Sequence, residues 1–450
     1  MRSRIPKVLH LLAGRPLLGH VLAAARGVDP VAVAVVLGHA SEQVRRHLPP
    51  DVAIAMQGEQ LGTGHAVHAA QVALPTDLDR ILVVYGDTAL VQTETLRRVL
   101  SALDDAPASM LTACLPDPFG YGRVFRDEHQ RVTRLVEEVD LVGDEHQVAE
   151  VSCGTFGFRA NWLWEHLPLL PRHTNGEYYL TDLMNLASAE GSPAIPVLLD
   201  DPREGVGIND RLQLADAHQI VYERERRRLL LRVGVTMPHP DSVFVEPGVK
   251  VGSDTVLLPN THLRGATRVG RDCVIGPGTE LVDSEVGDEC QVAWSVLEGA
   301  VVEDRVHIGP YSHLRTGARV KSGVHLGNFV DVKNSTLGEG SHAGHFSYIG
   351  DADIGQRVNV GAGTITCNFD GHNKHRTVVG DDVFIGSDTM LVAPIQIGDR
   401  ARTGAGSVVT RDVAADQLVV GVPARPVARP VPPMDVPESD RRDGDRHLEG

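Results

Sequence analysis

The fold of the second half is decided by the stretch Val245-Glu246-Pro247-Gly248-Val249-Lys250-Val251-Gly252-Ser253-Asp254-Thr255-Val256-Leu257. An aliphatic residue stands at every sixth position, and this step continues unbroken to Leu281. After shifts in phase it returns at Ile308, Leu314, Val320, Leu326, Val332, Ile385, Leu391 and Ile397. Neither an α-helix nor an alternating strand has a period of six. A parallel β-helix does, because each short strand turns one aliphatic side chain inward. A β-sandwich of short strands would not keep so strict a phase.

The first half alternates strand and helix signals. Apolar runs at Val31–Leu37 and Ile81–Val84 are followed by helical stretches such as Thr93–Leu103, which predicts an α/β fold with a mostly parallel sheet. Asp87 follows the second run, where the carboxyl ends of strands hold ligands. A carboxylate there suits Mg²⁺, although an aspartate that caps a helix would fit the same position.

Basic residues at the N-terminus precede a short apolar run. Arg2, Arg4 and Lys7 come before Val8 to Leu12, but His10, Arg15 and His20 interrupt the apolar character. A secretory signal peptide needs an unbroken apolar segment. The sequence therefore predicts an amphipathic helix at this end instead.

Composition limits the classes of protein to consider. The chain has 450 residues and a net charge of -16, which favours two domains and argues against general nucleic-acid binding. Its five cysteines, Cys114, Cys153, Cys273, Cys290 and Cys367, form no CxxC pair. Such scattered thiols are typical of a reducing, cytoplasmic location. No stretch is long and apolar enough to span a membrane.

Composition also suggests where the domains divide. From Asn209 the pattern becomes helical, and Gly234 and Pro238 end it. The tail from Ala424 is rich in Pro, Arg and Asp, which predicts disorder. We therefore expect an α/β domain at 1–208, a helical linker at 209–240, the β-helix at 241–423 and a disordered tail at 424–450.

Several short motifs follow one another in a fixed order. Those of the first half are Ile5-Pro6-Lys7-Val8-Leu9-His10, Glu59-Gln60-Leu61-Gly62-Thr63-Gly64-His65-Ala66, Tyr85-Gly86-Asp87, Gly120-Tyr121-Gly122-Arg123 and Gly176-Glu177-Tyr178-Tyr179-Leu180-Thr181-Asp182. Those of the second half are His325-Leu326-Gly327-Asn328-Phe329-Val330, Ala343-Gly344-His345 and the run from Asn359 to Asn368. In this order the chain resembles the bifunctional N-acetylglucosamine-1-phosphate uridylyltransferase / glucosamine-1-phosphate N-acetyltransferase family, from Ile5 to about Val413.

The resemblance implies a fold, two reactions and an assembly. It implies a Rossmann-like nucleotidyltransferase domain followed by a left-handed parallel β-helix of hexapeptide repeats that trimerises. The β-helix would move acetyl from acetyl-CoA to glucosamine 1-phosphate. The first domain would then join N-acetylglucosamine 1-phosphate to UTP with Mg²⁺ and release pyrophosphate. Neither nucleic acid nor a membrane would be a partner.

The resemblance also assigns residues of the acetyl site. His345 matches the general base, and the unperturbed pKa of a histidine suits proton removal near neutral pH. Arg315 and Lys333 match phosphate-binding cations, and Tyr348 and Asn359 match sugar-binding positions. Positions for acetyl-CoA are matched by Ala362, Asn368, Phe369, Ser387 and Ala405. Phe369 replaces a tyrosine that is frequent in the family. Asn368 could equally be a structural asparagine in a turn of the β-helix. Lys333 could equally be a solvated surface lysine.

In the uridylyl domain the matches are equally specific. Asp87 and Asn209 match the Mg²⁺ ligands, and Lys7 matches a phosphate-contacting lysine. The remaining matched positions, for uracil, nucleotide and sugar, are Gln57, Gly62, Thr63, Tyr85, Gly86, Gly122 and Glu137. Ser152 stands where the family usually has an asparagine for the sugar, so we expect that contact to be altered.

One motif of the family is absent. Its members begin with a strand and a Leu-Ala-Ala-Gly-x-Gly-Thr-Arg-Met loop whose amides surround the UTP phosphates, and Met1 falls at the last residue of that motif. We expect that the natural start lies upstream and that the lost strand leaves a gap in the core. We also expect that this chain transfers acetyl but barely consumes UTP.

Two alternatives stay open at this stage. The chain could be an acetyltransferase only, with an inactive nucleotidyltransferase domain. It could instead be a nucleotidyltransferase whose β-helix only assembles oligomers or binds regulators. His345 together with Arg315 and Lys333 argues against the second alternative, because a purely structural coil does not need them.

Overall fold

The computed structural model describes residues 1–38 and 42–427. Two compact units are present, one from Met1 to Tyr222 and one from Glu223 onward. The division falls inside a helix, Arg211–Arg228, within the segment that the sequence assigned to a linker. The linker residues are thus divided between the two units.

The first unit is built from short helices and strands. The α-helices are α1 Leu17–Arg26, α2 Glu42–Arg45, α3 Thr63–Ala70, α4 Thr93–Ser101, α5 Ala160–His166, α6 Asp182–Ala189 and α7 Arg211–Arg228. The strands are β1 Leu11–Leu12, β2 Arg15–Pro16, β3 Ala34–Leu37, β4 Ala53–Met56, β5 Arg80–Val84, β6 Ala108–Cys114, β7 Arg123–Arg126, β8 Val132–Val136, β9 Glu150–Arg159 and β10 Ile195–Leu198. The 3₁₀ turns of this unit lie at Lys7–Leu9, Gln71–Ala73, Ala102–Asp104, Glu138–Asp140, Gly143–Gln147, Leu167–Leu169 and Pro202–Gly205. In the second unit, a π-helical turn lies at Leu229–Val233 and a 3₁₀ turn at Pro240–Ser242.

The main sheet of this unit is mixed, whereas the sequence predicted a mostly parallel one. Its linear order is β10-β6-β9-β7-β8. The remaining strand, β5, also pairs with β9 but lies outside this linear order. The ten-residue β9 runs antiparallel to β5, β6 and β7, while β10 and β6 are parallel. The long β9 is the reason for the difference, because it supplies the antiparallel partner for three strands at once.

A second, two-stranded parallel sheet is formed by β3 and β4. Between β3 and β5 lies a cavity of about 910 Å³, lined mainly by aliphatic side chains of α1, β3, α3 and β5. Lys7, Tyr85 and Asp87 also line it. These three candidate uridylyl residues thus lie on the wall of this cavity.

The predicted amphipathic helix covers only the later part of the N-terminal segment, as α1 Leu17–Arg26. Lys7–Leu9 form a single 3₁₀ turn, and β1 and β2 make a tight hairpin before α1 begins at Leu17. Ala13 and Gly14 turn this hairpin with φ values of 43° and 77°. Left-handed backbone at two successive residues is incompatible with a continuing helix.

The second unit is a left-handed parallel β-helix with three sheets, as predicted. The first sheet contains β11 Phe244–Val245, β14 His262–Arg264, β17 Glu280–Val282, β20 Val296–Glu298, β23 His313–Leu314, β26 Asp331–Lys333, β29 Tyr348–Gly350, β32 Ile365–Cys367, β35 Met390–Val392 and β38 Val408–Val409. The second contains β12 Lys250–Val251, β15 Arg268–Val269, β18 Glu285–Val286, β21 Val301–Val302, β24 Arg319–Val320, β27 Thr336–Leu337, β30 Ala352–Ile354, β33 Thr377–Val379 and β36 Ile395–Ile397. The third contains β13 Val256–Leu257, β16 Val274–Ile275, β19 Gln291–Val292, β22 His307–Ile308, β25 His325–Asn328, β28 His342–His345, β31 Asn359–Val360, β34 Phe384–Ile385, β37 Arg402–Thr403, β39 Leu418–Val420 and β40 Arg425–Pro426.

The predicted six-residue step forms the core of this β-helix. Leu257, Ile275, Val292, Ile308 and Leu326 stack in register on successive strands of the third sheet, and each is almost fully buried. The residue before each inward aliphatic faces outward on the same strand. Side chains at these outward positions therefore line up one above another, one per coil.

The C-terminal end is ordered further than the sequence suggested. Arg425–Pro426, assigned above to the disordered tail, pairs antiparallel with Val419 and Val420. Residues 428–450 of that tail lie outside the described residues. Among the helices of residues 1–38 and 42–427, none is long and apolar enough to cross a membrane.

Candidate active sites

Lys7, Asp87 and Asn209 meet in the first unit. Lys7 Nζ donates to Asp87 Oδ2 at 2.5 Å and to Asn209 Oδ1 at 2.8 Å. Asp87 follows β5, and the backbone N–H of Ile208 donates to its carbonyl oxygen at 3.1 Å, which holds the segment carrying Asn209 beside it. Two oxygens thus converge on one cation. Within the described ranges no group of three or more His, Cys, Asp or Glu residues could hold a metal, so a metal here would need water or substrate oxygens as well.

Gln57, Gly62 and Thr63 form one fixed loop before α3. Gln57 is buried and its Nε2 donates to the Gly62 carbonyl oxygen at 3.0 Å. Gly62 has φ 93°, and a Cβ there would lie 2.6 Å from the carbonyl oxygen of Tyr178, so only glycine fits. Thr63 Oγ1 accepts a hydrogen bond from the backbone N–H of Leu180 at 3.0 Å. The loop is therefore fastened to the segment Tyr178–Leu180.

Gly122 and Glu137 lie next to each other. A Cβ on Gly122 would stand 3.3 Å from Glu137 Oε2, and Thr181 Oγ1 donates to Glu137 Oε1 at 2.8 Å. Burial raises the pKa of Glu137, and the hydrogen bond from Thr181 opposes this rise. Ser152, on β9, donates its backbone N–H to the Gly122 carbonyl oxygen at 2.9 Å. This backbone contact makes Ser152 a neighbour of Gly122.

Tyr85 lies near Thr63, Glu137 and Asp87, one residue from each of the three groups described above. Gly86 follows it in the turn that leads to Asp87. Burial raises the pKa of its phenol, a hydrogen bond with Thr63 lowers it, and the charges of Glu137 and Asp87 raise it further. Tyr121 is a related residue that the sequence analysis did not single out. Its hydroxyl accepts the backbone N–H of Gly207 at 3.2 Å, two residues before Asn209. Only its place inside a glycine-containing motif pointed to it.

In the second unit, Lys333 and Tyr348 lie on strands of the first sheet, and Arg315 directly follows β23 of that sheet. Lys333 is in register with Gly350, and Tyr348 with Asp331. Arg315 pairs with the Asp331 carboxylate. A Cβ on Gly350 would collide with the Tyr348 hydroxyl, so the tyrosine ring lies over that glycine, next to the Lys333 strand.

Lys374 adds a cation that the sequence analysis missed. It comes from the turn after Phe369, with which it forms an isolated antiparallel bridge. Its proximity lowers the pKa of Lys333, as expected when two ammonium groups share one place. Two ammonium groups this close together are suited to bind an anion, although the Asp351 carboxylate is also close enough to raise the pKa of Lys333.

His345 is exposed and stands at the end of β28. Its Nδ1 is hydrogen-bonded to Asn328 Oδ1, on the coil below. Its strand belongs to the third sheet, next to the corner where the chain turns into β29 and Tyr348. Asn359 lies on the outward side of the third sheet, in register with His342. The structure thus places His345 and Asn359 on one sheet and Lys333 and Tyr348 on the next, with Arg315 just after a strand of that second sheet.

Asn368 is held by a buried carboxylate. Its Nδ2 donates to Asp351 Oδ2 at 2.5 Å, and Asn334 Nδ2 donates to Asp351 Oδ1 at 2.6 Å. Burial would raise the pKa of Asp351, but the two amide hydrogen bonds and the charges of Lys374 and Lys333 hold it below its usual value. Asn368 is therefore fixed by contacts, whereas the neighbouring Phe369 is 60% exposed.

Ala362, Ser387 and Ala405 stand on successive coils at one corner of the β-helix. The Asp388 N–H donates to the Ala362 carbonyl oxygen at 2.6 Å, and the Gly406 N–H to that of Ser387 at 2.8 Å. Glycines flank Ala362 and Ala405 and precede Ser387, and a Cβ on Gly361 would lie 2.5 Å from the Ser387 nitrogen. The corner is consequently narrow and lined by backbone.

Both halves of the chain are similar to known proteins. Residues 1–151 match the model of the MobA-like NTP transferase domain, and residues 248–282 and 376–411 match that of the bacterial transferase hexapeptide. The chain is 43% identical to the bifunctional protein GlmU of Trichlorobacter lovleyi, over 93% of this chain and 92% of that one. It is 44% identical to the same protein of Stutzerimonas stutzeri, over 94% and 93%. The identity to that of Enterococcus faecalis is 43%, over 93% and 92%.

Proposed function

The chain belongs to the bifunctional GlmU family, and from this membership we propose where its two reactions take place. The family members are glucosamine-1-phosphate N-acetyltransferases and N-acetylglucosamine-1-phosphate uridylyltransferases, and the two units of this chain match the two reactions. The first unit is the nucleotidyltransferase, and the β-helix is the acyltransferase. Its substrates are the sugar phosphates, UTP and acetyl-CoA.

Acetyl transfer takes place around His345. The observation that carries this assignment is an exposed imidazole with a hydrogen-bonded Nδ1, close to a corner that leads to Tyr348 and the cations. His345 removes a proton from the amine as its nitrogen attacks the thioester carbonyl. The C–S bond breaks, and the coenzyme A thiol leaves with a proton. Lys333, Lys374 and Arg315 hold the sugar phosphate.

Acetyl-CoA lies along the corner of small residues, Ala362, Ser387 and Ala405, and reaches the site beside Asn368 and Phe369. Absence of bulky side chains gives a pantetheine arm close access to backbone groups. Asn368 is preorganised by Asp351 and contacts the thioester end, while Asn359 contacts the sugar from the neighbouring sheet.

Uridylyl transfer takes place at Lys7, Asp87 and Asn209. The convergence of two oxygens on the Lys7 ammonium supports a cation position that fits Mg²⁺, with Asp87 and Asn209 as its protein ligands. When bound, the metal would neutralise phosphate charge. Lys7 binds phosphate, Gln57, Gly62, Thr63 and Tyr85 surround the nucleotide, and Gly122 and Glu137 hold the sugar.

We further propose a homotrimer. Four aromatic side chains, at Trp294, Tyr311, Phe329 and Phe346, stack on successive coils with ring centroids 5.2–6.2 Å apart. Each is 45–61% exposed, and such a continuous apolar strip favours association. Sedimentation velocity is expected to give the mass of a trimer, and Tyr311→Glu to lower it. A monomeric mass with full acetyl transfer would contradict the proposal.

Removing the Lys333 ammonium tests the phosphate site. Lys333→Ala should raise KM for glucosamine 1-phosphate by about 10- to 100-fold, because a charge-assisted hydrogen bond contributes about 1.5–3 kcal/mol, and should change kcat less. Lys250→Ala, an exposed lysine of β12, is the matched control and should leave KM unchanged. An unchanged KM in the Lys333 variant would remove this residue from the site.

A cytoplasmic location agrees with the thiols. All five cysteines are free, and Cys153, Cys273 and Cys290 are buried. Unpaired cysteines in this number are typical of proteins in a reducing compartment.

A further inference from the structure

Asn328 and His345 form a side-chain pair on adjacent coils. They end β25 and β28 and are Cα partners in the parallel ladder. Asn328 Oδ1 lies in hydrogen-bond contact with His345 Nδ1. An amide oxygen only accepts, so the hydrogen belongs to Nδ1 of the imidazole. A neutral imidazole carries one N–H, and Nε2 is therefore left with its lone pair.

Other contacts fix the backbone of the same corner. The Phe346 N–H donates to the Asn328 carbonyl oxygen at 3.0 Å, and Ser347 Oγ donates to the His345 carbonyl oxygen at 3.0 Å. The rings of Phe329 and Phe346 stack at 5.2 Å with an interplanar angle of 15°. None of these contacts involves the side-chain amide of Asn328. Removing that side chain should therefore leave the coil folded.

We propose that Asn328 is a positioning residue for acetyl transfer, which holds His345 as the Nδ1–H tautomer and presents Nε2 as the base. This inference rests on the proposed role of His345. As Nε2 takes the proton of the amine, the ring becomes an imidazolium with two N–H groups. The Asn328 carbonyl dipole then faces the positive charge and stabilises it, without leaving its place.

Two substitutions separate positioning from a structural role. Asn328→Ala should lower kcat for acetyl transfer by at least about tenfold, since inverting the tautomer of a catalytic histidine costs up to about 10⁴-fold, and should change KM by less than about twofold. Asn328→Asp keeps an acceptor and adds a charge that favours the imidazolium. It should retain kcat at high pH and move the acid limb of the kcat profile up by about one pH unit or more.

The matched control is Gln291→Ala, which removes an exposed amide from β19 of the same sheet and should leave kcat unchanged. Thermal unfolding of each variant reports whether the coil is intact. An Asn328→Ala variant with normal kcat would overturn the proposal. Loss of activity in Asn328→Asp at every pH would do so too, because it would mean that the amide donates to the ring.

A spectroscopic measurement keeps this proposal separate from the proposed function. Long-range ¹H–¹⁵N spectra of the whole protein with ¹⁵N-labelled histidine distinguish the tautomers, and His345→Ala identifies the signal among the 21 histidines. We expect the Nδ1–H form in the unmodified chain and a shift toward Nε2–H in Asn328→Ala. Equal spectra would refute control of the ring by Asn328, even if His345→Ala abolished transfer. Normal acetyl transfer in His345→Ala would instead refute the proposed role of His345 as the general base.

Discussion

Replacing His345 with alanine lowers acetyl transfer to glucosamine 1-phosphate by at least about 10²-fold, because a positioned general base contributes about 10²–10⁴-fold. The side chain is exposed, and its Nδ1 is hydrogen-bonded to Asn328 Oδ1. Its removal therefore leaves no buried group unpaired, and the unfolding transition stays where it was. Initial rates of coenzyme A release with saturating acetyl-CoA give the measurement.

A second histidine of the same β-helix provides the control. His262 faces outward on β14 and stacks on Phe244 at 4.6 Å, far along the chain from the proposed site. His262→Ala should keep the acetyl-transfer rate. Near-normal transfer in His345→Ala, with an intact coil, would remove this residue from the mechanism.

The β-helix was predictable because its period is local. Most coils place an aliphatic residue at the same inward positions, and the burial of Leu257 and Ile308 follows from that phase. The mixed sheet of the first unit could not be predicted in this way. Whether a strand pairs parallel or antiparallel depends on partner strands that are distant in sequence. Nothing within Glu150–Arg159 itself reveals that it runs antiparallel to β5, β6 and β7.

The partners of the site residues were the least predictable part. Asn328 lies 17 residues before His345, Asp351 lies 17 before Asn368, and Asp331 lies 16 after Arg315. One turn of the coil separates each pair, so a search at this spacing would have found them. The coil length varies, however, and Ile354 pairs with Val379 across 25 residues. The longer coil includes the turn that carries Lys374, and no fixed spacing leads from it to Lys333.

The family resemblance supplied roles that the residues alone left open. Asp87 fitted a metal ligand and a helix cap equally well from sequence. In the structure its carboxylate shares the Lys7 ammonium with Asn209, which a capping aspartate would not do. The two residues are 122 positions apart in the chain, and only the fold brings them together.

Replacing Asp87 with alanine is expected to lower the uridylyl transfer that the unmodified chain shows, measured as Mg²⁺-dependent release of pyrophosphate, by at least about 10²-fold. Reactions at phosphorus depend on charge neutralisation and positioning, and losing one preorganised electrostatic contact commonly costs about 10²–10³-fold. Asp87 supplies the only carboxylate among the three converging groups. Without it the Lys7 ammonium loses its ion pair, and Asn209 alone is a poor ligand for a divalent cation.

Acetyl transfer by the same preparation is the internal control, because Asp87 and His345 belong to different units. Asp87→Ala should leave that rate unchanged, and Asp105→Ala, at an exposed aspartate after α4, should leave both rates unchanged. Binding of Mn²⁺ followed by electron paramagnetic resonance adds a readout without turnover, and it should weaken in Asp87→Ala. Unchanged pyrophosphate release and unchanged Mn²⁺ binding would show that the converging oxygens at Lys7 are only an ion-pair network, and the metal would have to be held elsewhere.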